Sequence, residues 1–439
     1  MRIPCPKDLS PVGLHGARRA GFRRYDRLSY SSITSKSAVC VGVDPEHREC
    51  HGQLYGSGVI DKRRQLSLHG YVMESRLTLR HHSPTALFAR YGTALLRLLP
   101  AEAAHDVGMW MLERDLIDFL PLPSLSPLLD GLDAQVPGIG DLAHPIGLAA
   151  GFDKNARAPR GFSRLGLSFL ELGTITPRAQ FGNPKPRLFR LEDQDGLINR
   201  MGFNSHGAER VRSRLEKLAW NHEPVPLGIN LGKNKDTSED AAIEDYSHGL
   251  EVFAPYARYF VINVSSPNTE GLRGLANEHF LKELAFRHKK DLGKIWVKLD
   301  PDMPKATFQS LVQALAEAGF QGLVLTNTHR VERPEKGGMS GHPMALQANA
   351  CLEWAYEVTQ GSLPLIASGG ILSGQDVYQR IARGASAVQI YTSLVYRGPL
   401  AVFLMLQELR NEMDLRGVKF LSDVKGSYYY ESKSRSSNP

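Results

Sequence analysis

From Ser83 onward, apolar residues at Leu87, Phe88, Tyr91, Leu95, Leu98 and Leu99 recur at the spacing of one helix face, and Pro100 ends the run. Residues 101–119 repeat the pattern with Val107, Trp110, Met111, Leu112, Leu116 and Phe119, closed by Pro121, Pro123 and Pro127. Together they predict a small amphipathic helix hairpin over 83–122, packed on a neighbouring domain or resting on a membrane surface without crossing it. From Pro145 the pattern changes to short apolar runs separated by segments of helical period. The runs are 145–151, 169–175, 226–232, 259–265, 294–300, 322–328, 364–370 and 387–393; the helical segments include 274–289, 306–319, 373–384 and 398–414. Runs apolar on both faces predict parallel strands covered by helices. Eight strand–helix units in about 270 residues predict an α/β fold of the closed (β/α)8 TIM-barrel type over 140–423. An open doubly wound sheet is disfavoured, because no GxGxxG follows any strand.

Residues 1–78 show neither period and are rich in Arg, Ser, Gly and His. Of the 53 Lys+Arg and 46 Asp+Glu in the 439-residue chain, 14 and 7 lie in the first 80 residues. The net charge of +7 therefore belongs to this leader, and the remainder is neutral. A nucleic-acid footprint across the main domain has no support, and no nucleic-acid partner is expected. The basic, Ser-rich stretch from Arg18 to Lys36 is vaguely like an organelle transit peptide, with no apolar core for a secretory signal. The alternatives are a disordered tail or a start codon taken too early, with Met73 as the natural start. Cys5, Cys40 and Cys50 lie in the leader, leaving Cys351 alone in the body, which fits a reducing compartment and makes no zinc site. No run of 18 apolar residues occurs that could span a bilayer.

In a barrel the active site lies at the C-terminal ends of the strands. Polar residues collect at all eight: Gly151, Asp153, Lys154 and Asn155; Thr174 and Thr176; Asn230, Lys233, Asn234 and Lys235; Asn263, Ser265, Ser266 and Asn268; Lys298; Thr326, Asn327 and Thr328; Ser368, Gly369 and Gly370; Tyr391 and Thr392. Any one could cap a helix, but a full ring rich in Asn and Lys exceeds what capping needs. The ring has no His/Asp/Glu cluster for a metal and no glycosidase carboxylate pair. Amides, hydroxyls and ammoniums suit a planar, anionic, hydrogen-bonding ligand. Backbone amides of the SGG and IYT turns on the last two strands can cradle a phosphate, and Lys154 and Lys298 can set positive charge beside a reduced ring. FMN meets these demands. GINLGK at 228–233 lacks the spacing and hydroxyl of a nucleotide-triphosphate loop.

Several long motifs resemble the class 2, membrane-associated, quinone-dependent dihydroorotate dehydrogenases. They are LAAGFDKN (148–155), GTITPRAQFGNPKPRLFRL (173–191), INRMGFNSHG (198–207), GINLGKNKDT (228–237), INVSSPNTEGLRGL (262–275), TNT (326–328), GGMSGHP (337–343) and GASAVQIYTSL (384–394). PAEAAH (100–105) is similar to the turn between the family's two N-terminal helices. The resemblance implies oxidation of dihydroorotate to orotate in pyrimidine synthesis, with electrons passing through FMN to a membrane quinone. It implies that Ser266 is the base that removes the C5 proton, where class 1 relatives carry Cys. It gives orotate contacts to Lys154, Asn199, Arg200, Met201, Gly202, Phe203, Asn263, Asn268, Asn327 and Thr328. It gives FMN contacts to Ala150, Gly151, Phe152, Asp153, Lys154, Thr174, Asn230, Asn263, Lys298, Thr326, Gly341, Gly370, Tyr391 and Thr392. Orotate is planar, carries one carboxylate and is edged with amide donors and acceptors, so asparagines and a lysine are apt partners.

Three departures stand out. IASGG (366–370) replaces the usual IGVGG, His329 follows TNT where Thr is common, and the segment from His329 to Gly337 is short. The resemblance implies a monomer in peripheral contact with a membrane. A bacterial inner membrane, on its cytoplasmic side, is expected, with the mitochondrial inner membrane as the alternative. Rival FMN barrels, a dihydropyrimidine dehydrogenase domain or a tRNA dihydrouridine synthase, predict a Cys base and, for the latter, a basic body. A non-catalytic nucleic-acid binder acting through the leader would leave the strand-end ring unexplained.

Overall fold

The computed structural model describes residues 84–430, apart from 267 and 269–271; the leader lies outside the described residues. Helices α1 (Pro84–Arg97) and α2 (Ala101–Glu113) form the hairpin, with Pro100 in extended conformation at the start of α2. The second helix is shorter than its periodicity predicts. Asp115 takes a left-handed φ of 57°, and Leu116–Phe119 continue as a 3-10 turn. The hairpin rests on α3 (Pro159–Arg164), where Gly161 lets α2 approach: a Cβ there would lie 2.9 Å from the Leu112 Cβ. Met109 and Leu112 are buried, whereas Tyr91, Leu95, Leu98, Trp110 and Phe119 remain exposed, so the hairpin keeps an apolar outer face.

The strands follow in chain order: β1 (Ala134–Val136), β2 (Gly140–Leu142), β3 (Ile146–Leu148), β4 (Leu170–Ile175), β5 (Leu188–Leu191), β6 (Gly196–Asn199), β7 (Leu227–Leu231), β8 (Tyr259–Asn263), β9 (Ile295–Lys298), β10 (Gly322–Leu325), β11 (His329–Val331), β12 (Gly337–Gly341), β13 (Leu365–Ser368) and β14 (Ala387–Ile390). The barrel takes β3, β4, β7, β8, β9, β10, β13 and β14, each parallel to its neighbours; pairing of Val388 with Ile146 closes it. The outer helices are α4 (Ala208–Lys217), α5 (Ala242–Phe253), α6 (Glu278–Arg287), α7 (Lys305–Ala318), α8 (Ala345–Thr359), α9 (Gly374–Ala382), α10 (Thr392–Arg397) and α11 (Ala401–Leu415). The eight strands that the apolar runs predict are all present, each ending inside its run.

Strand alternation divides the core. Leu170, Leu172, Ile229, Ile262, Val297 and Leu323 face outward into the apolar layer under the helices. Phe169, Tyr259, Val261, Trp296, Val324 and Ile366 face inward and form a second apolar cluster, sealed from below by Val136, Ile139 and Leu142 of the β1–β2 hairpin. Glycines make room for these rings: a Cβ at Gly147 would meet Phe169, one at Gly228 would meet Tyr259, and one at Gly322 would meet Trp296, each at 2.1–2.4 Å. Above that floor the inward positions turn polar, with Glu171, Asn230, Asn263, Lys298 and Gln389 all buried. The runs are therefore apolar on both faces only in their lower half. Sequence periodicity also missed a four-stranded antiparallel sheet, β11–β12–β6–β5, built entirely from excursions of 3–5 residues within the loops.

Candidate active site

The polar upper half of the barrel opens into a cavity of about 1080 Å³, measured out to open solvent. Seven of the eight barrel strands contribute through the C-terminal end or the loop behind it; β7 does not. After β3, the Asp153 carboxylate is fully buried and accepts three backbone N–H groups, from Asn155 (3.2 Å), Arg157 (2.9 Å) and Ala158 (2.9 Å). Burial raises its pKa, and these bonds pull in the other direction. The rigid turn sets Lys154 on the cavity wall, where Nζ donates to the Gly151 carbonyl. Burial, helped by the charge of Arg187, lowers the Lys154 pKa to about 8.

Inside the barrel a single network links the strands. Gln389 Nε2 and Asn230 Nδ2 donate to the two oxygens of Glu171, the latter at 2.7 Å. Thr174 Oγ1 donates to Asn230 Oδ1 at 2.6 Å. Asn263 Nδ2 reaches both Thr174 Oγ1 (3.0 Å) and Asn230 Oδ1 (3.1 Å), and Asn327 Nδ2 donates to Ser265 Oγ at 3.0 Å. Lys298 is buried beside this carboxylate; burial lowers its pKa and the attraction of Glu171 opposes that. Every amide is thereby held in one orientation, which preorganises the surface offered to a ligand.

The opposite wall comes from the loop after β8 and from the antiparallel sheet. Ser266 is buried on the cavity, and its Oγ accepts the Asn268 N–H at 3.3 Å. Asn268 Nδ2 donates to both the carbonyl and the Oδ1 of Asn199, each at 3.2 Å, and Asn199 Nδ2 donates to the Gly338 carbonyl. This ties the serine loop to β6 and β12. His329, the departure after TNT, places Nδ1 at 2.5 Å from Asp302 Oδ1, while the Arg330 N–H donates to Asp302 Oδ2, pinning β11 to the loop after β9.

Most residues that the motifs single out meet at this one cavity: Ala150, Gly151, Lys154, Thr174, Asn199, Met201, Gly202, Phe203, Asn263, Ser266, Asn268, Lys298, Thr326, Asn327, Thr328, Gly341, Gly370, Tyr391 and Thr392. Four others do not line it. Arg200 turns outward, donating to Glu335 (2.9 Å) and the Pro186 carbonyl, with its guanidinium over the Phe189 ring. Asp153 is consumed by its turn. Asn230 lies beneath the cavity inside the network. Phe152 faces a second cavity, its ring 5.1 Å from His105 and 4.8 Å from Tyr391. Sequence reasoning missed Glu171 and Gln389; the one signal was a lone Glu within an apolar run.

That second cavity, about 990 Å³, lies between the hairpin and the barrel and is walled mainly by apolar groups, among them Leu96, Met111, Phe162 and Val395. It shares Leu188, Leu197 and Tyr391 with the first. His105 in its wall is pushed down to a pKa of about 3, by burial first and then by Lys154 and Arg157, so the ring is neutral. Arg190 donates to the carbonyls of Arg97 and Leu99, both at 2.8 Å, while its Nε is buried without a partner.

The residues present fit a flavin. Gln389 on the cavity floor has a buried Oε1 with no partner, an acceptor suited to a ring N–H. Lys298 lines the same cavity, as do the turns at Gly341, Gly370 and Thr392, whose backbone amides are the groups that could meet a phosphate.

Comparison with known proteins agrees with this geometry. The family model described as dihydroorotate dehydrogenase matches residues 132–413. A Myxococcus xanthus protein named dihydroorotate dehydrogenase (quinone) is 41% identical over 352 residues, covering 76% of this chain and 96% of its own length. A mitochondrial protein of Mus musculus with the same name is 38% identical over 359 residues, covering 76% of this chain and 88% of that one. The crystal structure of an Eimeria tenella dihydroorotate dehydrogenase in complex with ferulenol superposes with a TM-score of 0.69 at 37% identity, covering 75% of this chain and 95% of that chain. Of the strand-end ring, Asn155, Thr176, Lys233, Asn234, Lys235 and Ser265 also do not line the cavity. With the barrel closed, most of the ring gathered on one cavity and these relatives matched over most of their length, the chain belongs to the dihydroorotate dehydrogenase family.

Proposed function

We propose that this protein oxidises dihydroorotate to orotate, with FMN in the polar cavity and a quinone reached through the apolar one. The observation that carries the reading is the position of Ser266 on a cavity shared with Asn199, Asn263, Asn268, Asn327 and the Lys154 amine. FMN bound in this cavity would supply a two-electron acceptor for the hydride at C6 and a donor to the quinone. Lys154 pairs with the substrate carboxylate, and the four asparagines match the amide edge of the ring. Ser266 takes the C5 proton. A serine is a weak base at neutral pH, so it depends on a dry, preorganised site; the Asn268 N–H bond holds its oxygen in place. Lys298 would set positive charge beside the flavin ring, and the turns at Gly341, Gly370 and Thr392 would hold the phosphate.

The second cavity supports a quinone as acceptor. It is apolar, it touches the first through Tyr391, and the unpartnered Nε of Arg190 is a donor for a carbonyl oxygen. The exposed Leu95, Leu98 and Phe119 support peripheral seating of the hairpin on an inner membrane, with the protein acting as a monomer. None of the described helices is long and apolar enough to cross a membrane. The test is a visible spectrum of the purified protein during anaerobic addition of dihydroorotate. A flavin band that bleaches, and returns when a quinone is added, is the expected result. A protein that carries flavin yet ignores dihydroorotate would refute the reading.

A further inference from the structure

Arg380 is a buried charge that none of the roles above uses. It lies on α9 and is 2% exposed. Its Nη2 donates to the Gly369 carbonyl at 2.9 Å and to the Ala345 carbonyl at 3.3 Å, while Nη1 is buried without a partner. The nearby carboxylates are engaged elsewhere. Asp376 closes the capping box of α9 with Ser373, and Glu353 pairs with Arg383. Burial draws the guanidinium pKa down to about 10, which leaves it charged at neutral pH. Asp376 and Glu353 offset part of this charge at a distance, but its hydrogen bonds reach only carbonyl oxygens. A buried cation so placed is costly, and a nearby anion would relieve that cost.

Peptide geometry supplies the connection. The Gly369–Gly370 peptide is not among the cis bonds of the chain, and in a trans peptide the C=O and the following N–H point to opposite sides. With the Gly369 carbonyl held on the α9 side, the Gly370 N–H is directed away from α9, and Gly370 itself lines the cavity. The turn is also wedged in place. Gly370 has φ of +69°, and a Cβ on it would lie 2.4 Å from Cα of Ala345, the first residue of α8. Arg380 therefore grips both the 368–370 turn and the start of α8.

We propose that Arg380 is a positioning residue for the cofactor phosphate: it locks the Gly369–Gly370 peptide with its N–H facing the phosphate and lends its charge from behind the turn. This rests on the FMN reading above. The test compares FMN with riboflavin, which has the same ring and ribityl chain but no phosphate. Release of FMN from the full-length holoenzyme on dilution, and rebinding of each flavin, are followed by flavin fluorescence. Parent protein that binds both flavins equally, or neither, refutes the FMN reading itself. Given a parent preference for FMN, Arg380→Met is expected to weaken FMN about tenfold to hundredfold while riboflavin changes less than about threefold. Arg380→Lys should restore most of the preference through its charge. Arg380→Gln keeps a donor for the carbonyl, and carries the test if the Met variant does not fold; it should lose about tenfold in FMN affinity alone. Unchanged FMN affinity in these variants, or equal loss of both flavins, overturns the proposal.

Discussion

Arg187 grips Glu102 from two nitrogens, with Nε at 3.2 Å and Nη2 at 2.9 Å from the same carboxylate oxygen. Glu102 lies in the first turn of α2, and Arg187 directly precedes β5. The remaining Arg187 nitrogen, Nη1, holds the carbonyls of Phe181 and Asn183. One carboxylate thus ties the helix hairpin to the loop from which the antiparallel sheet departs.

Breaking this tie should loosen the hairpin. Burial alone would raise the Glu102 carboxyl, but hydrogen bonds from Arg187 and Lys185 outweigh it and hold the pKa below the ordinary 4.5. A depressed carboxylate stabilises the fold fully above its unfolded-state pKa, and that contribution is lost as pH falls through the folded value. Glu102→Gln should cost about 1.5–3 kcal/mol at neutral pH. It should also flatten the loss of melting temperature below about pH 4.5. Thermal melts from pH 3 to 7 check both; parent and variant curves that stay parallel would remove the pair from hairpin docking.

Lys154 should make orotate binding sensitive to alkali. Only its ammonium form pairs with a carboxylate, and burial sets its pKa at about 8. Orotate affinity should hold below pH 7 and fall as pH rises through 8, about tenfold per unit at the steepest. Lys154→Met should weaken orotate about tenfold to hundredfold and abolish the pH dependence. Titration of the flavin spectrum with orotate from pH 6 to 10 measures both effects.

Ser266→Ala should slow flavin reduction by roughly 10²–10⁴-fold, the range of a positioned general base, with FMN still bound. Orotate affinity should change less than about tenfold, because the hydroxyl matters chiefly as the proton moves. Ser266→Cys should recover part of the rate with a shifted pH profile, since a thiol near pKa ~8.5 ionises far more readily. Rapid-mixing absorbance across a pH series decides the matter; an alanine variant within a few-fold of the parent would exclude the serine as base.

Gly108 in α2 lines the apolar cavity, and a Cβ there would meet nothing within 4 Å. Gly108→Leu should therefore fill the cavity without a clash and stabilise the helix by up to about 1 kcal/mol through propensity. Quinone reduction should fall while flavin reduction by dihydroorotate persists. A stabilised variant that reduces quinone at the parent rate would place the acceptor elsewhere.

Leu95 on α1 and Leu98 in the turn just after it are 67% and 81% exposed. Leu95→Glu with Leu98→Glu should impair reduction of vesicle-borne quinone and spare anaerobic flavin reduction, because the barrel site is built separately. Parallel loss of both half-reactions would show that this face stabilises the barrel instead of meeting a membrane.

The sequence by itself determined the eight strands, the hairpin and most of the ring around the cavity, because each depends on local order along the chain. Apolar periodicity resides in the residues of a single strand, and a residue at a strand's end is at the mouth of any barrel that strand joins. Side-chain direction was decided only by tertiary structure. Asn230 and Asn263 both stand at strand ends, yet Asn230 is drawn beneath the cavity by Glu171, a partner on another strand. Arg200 lies between Asn199 and Met201, which both line the cavity, but Glu335 and the Phe189 ring turn it outward. Glu171 reads as an interruption in an apolar run until barrel closure brings Gln389, 218 positions away, against it. Arg380 shows no motif signal, and its bond to Gly369 is a short-range case, 11 positions back to the turn that joins β13 to α9. The pairings made by Glu171 and Glu335 join residues far apart in the chain, and only the closed barrel, which sets their distances and leaves buried polar groups to find partners, selects them.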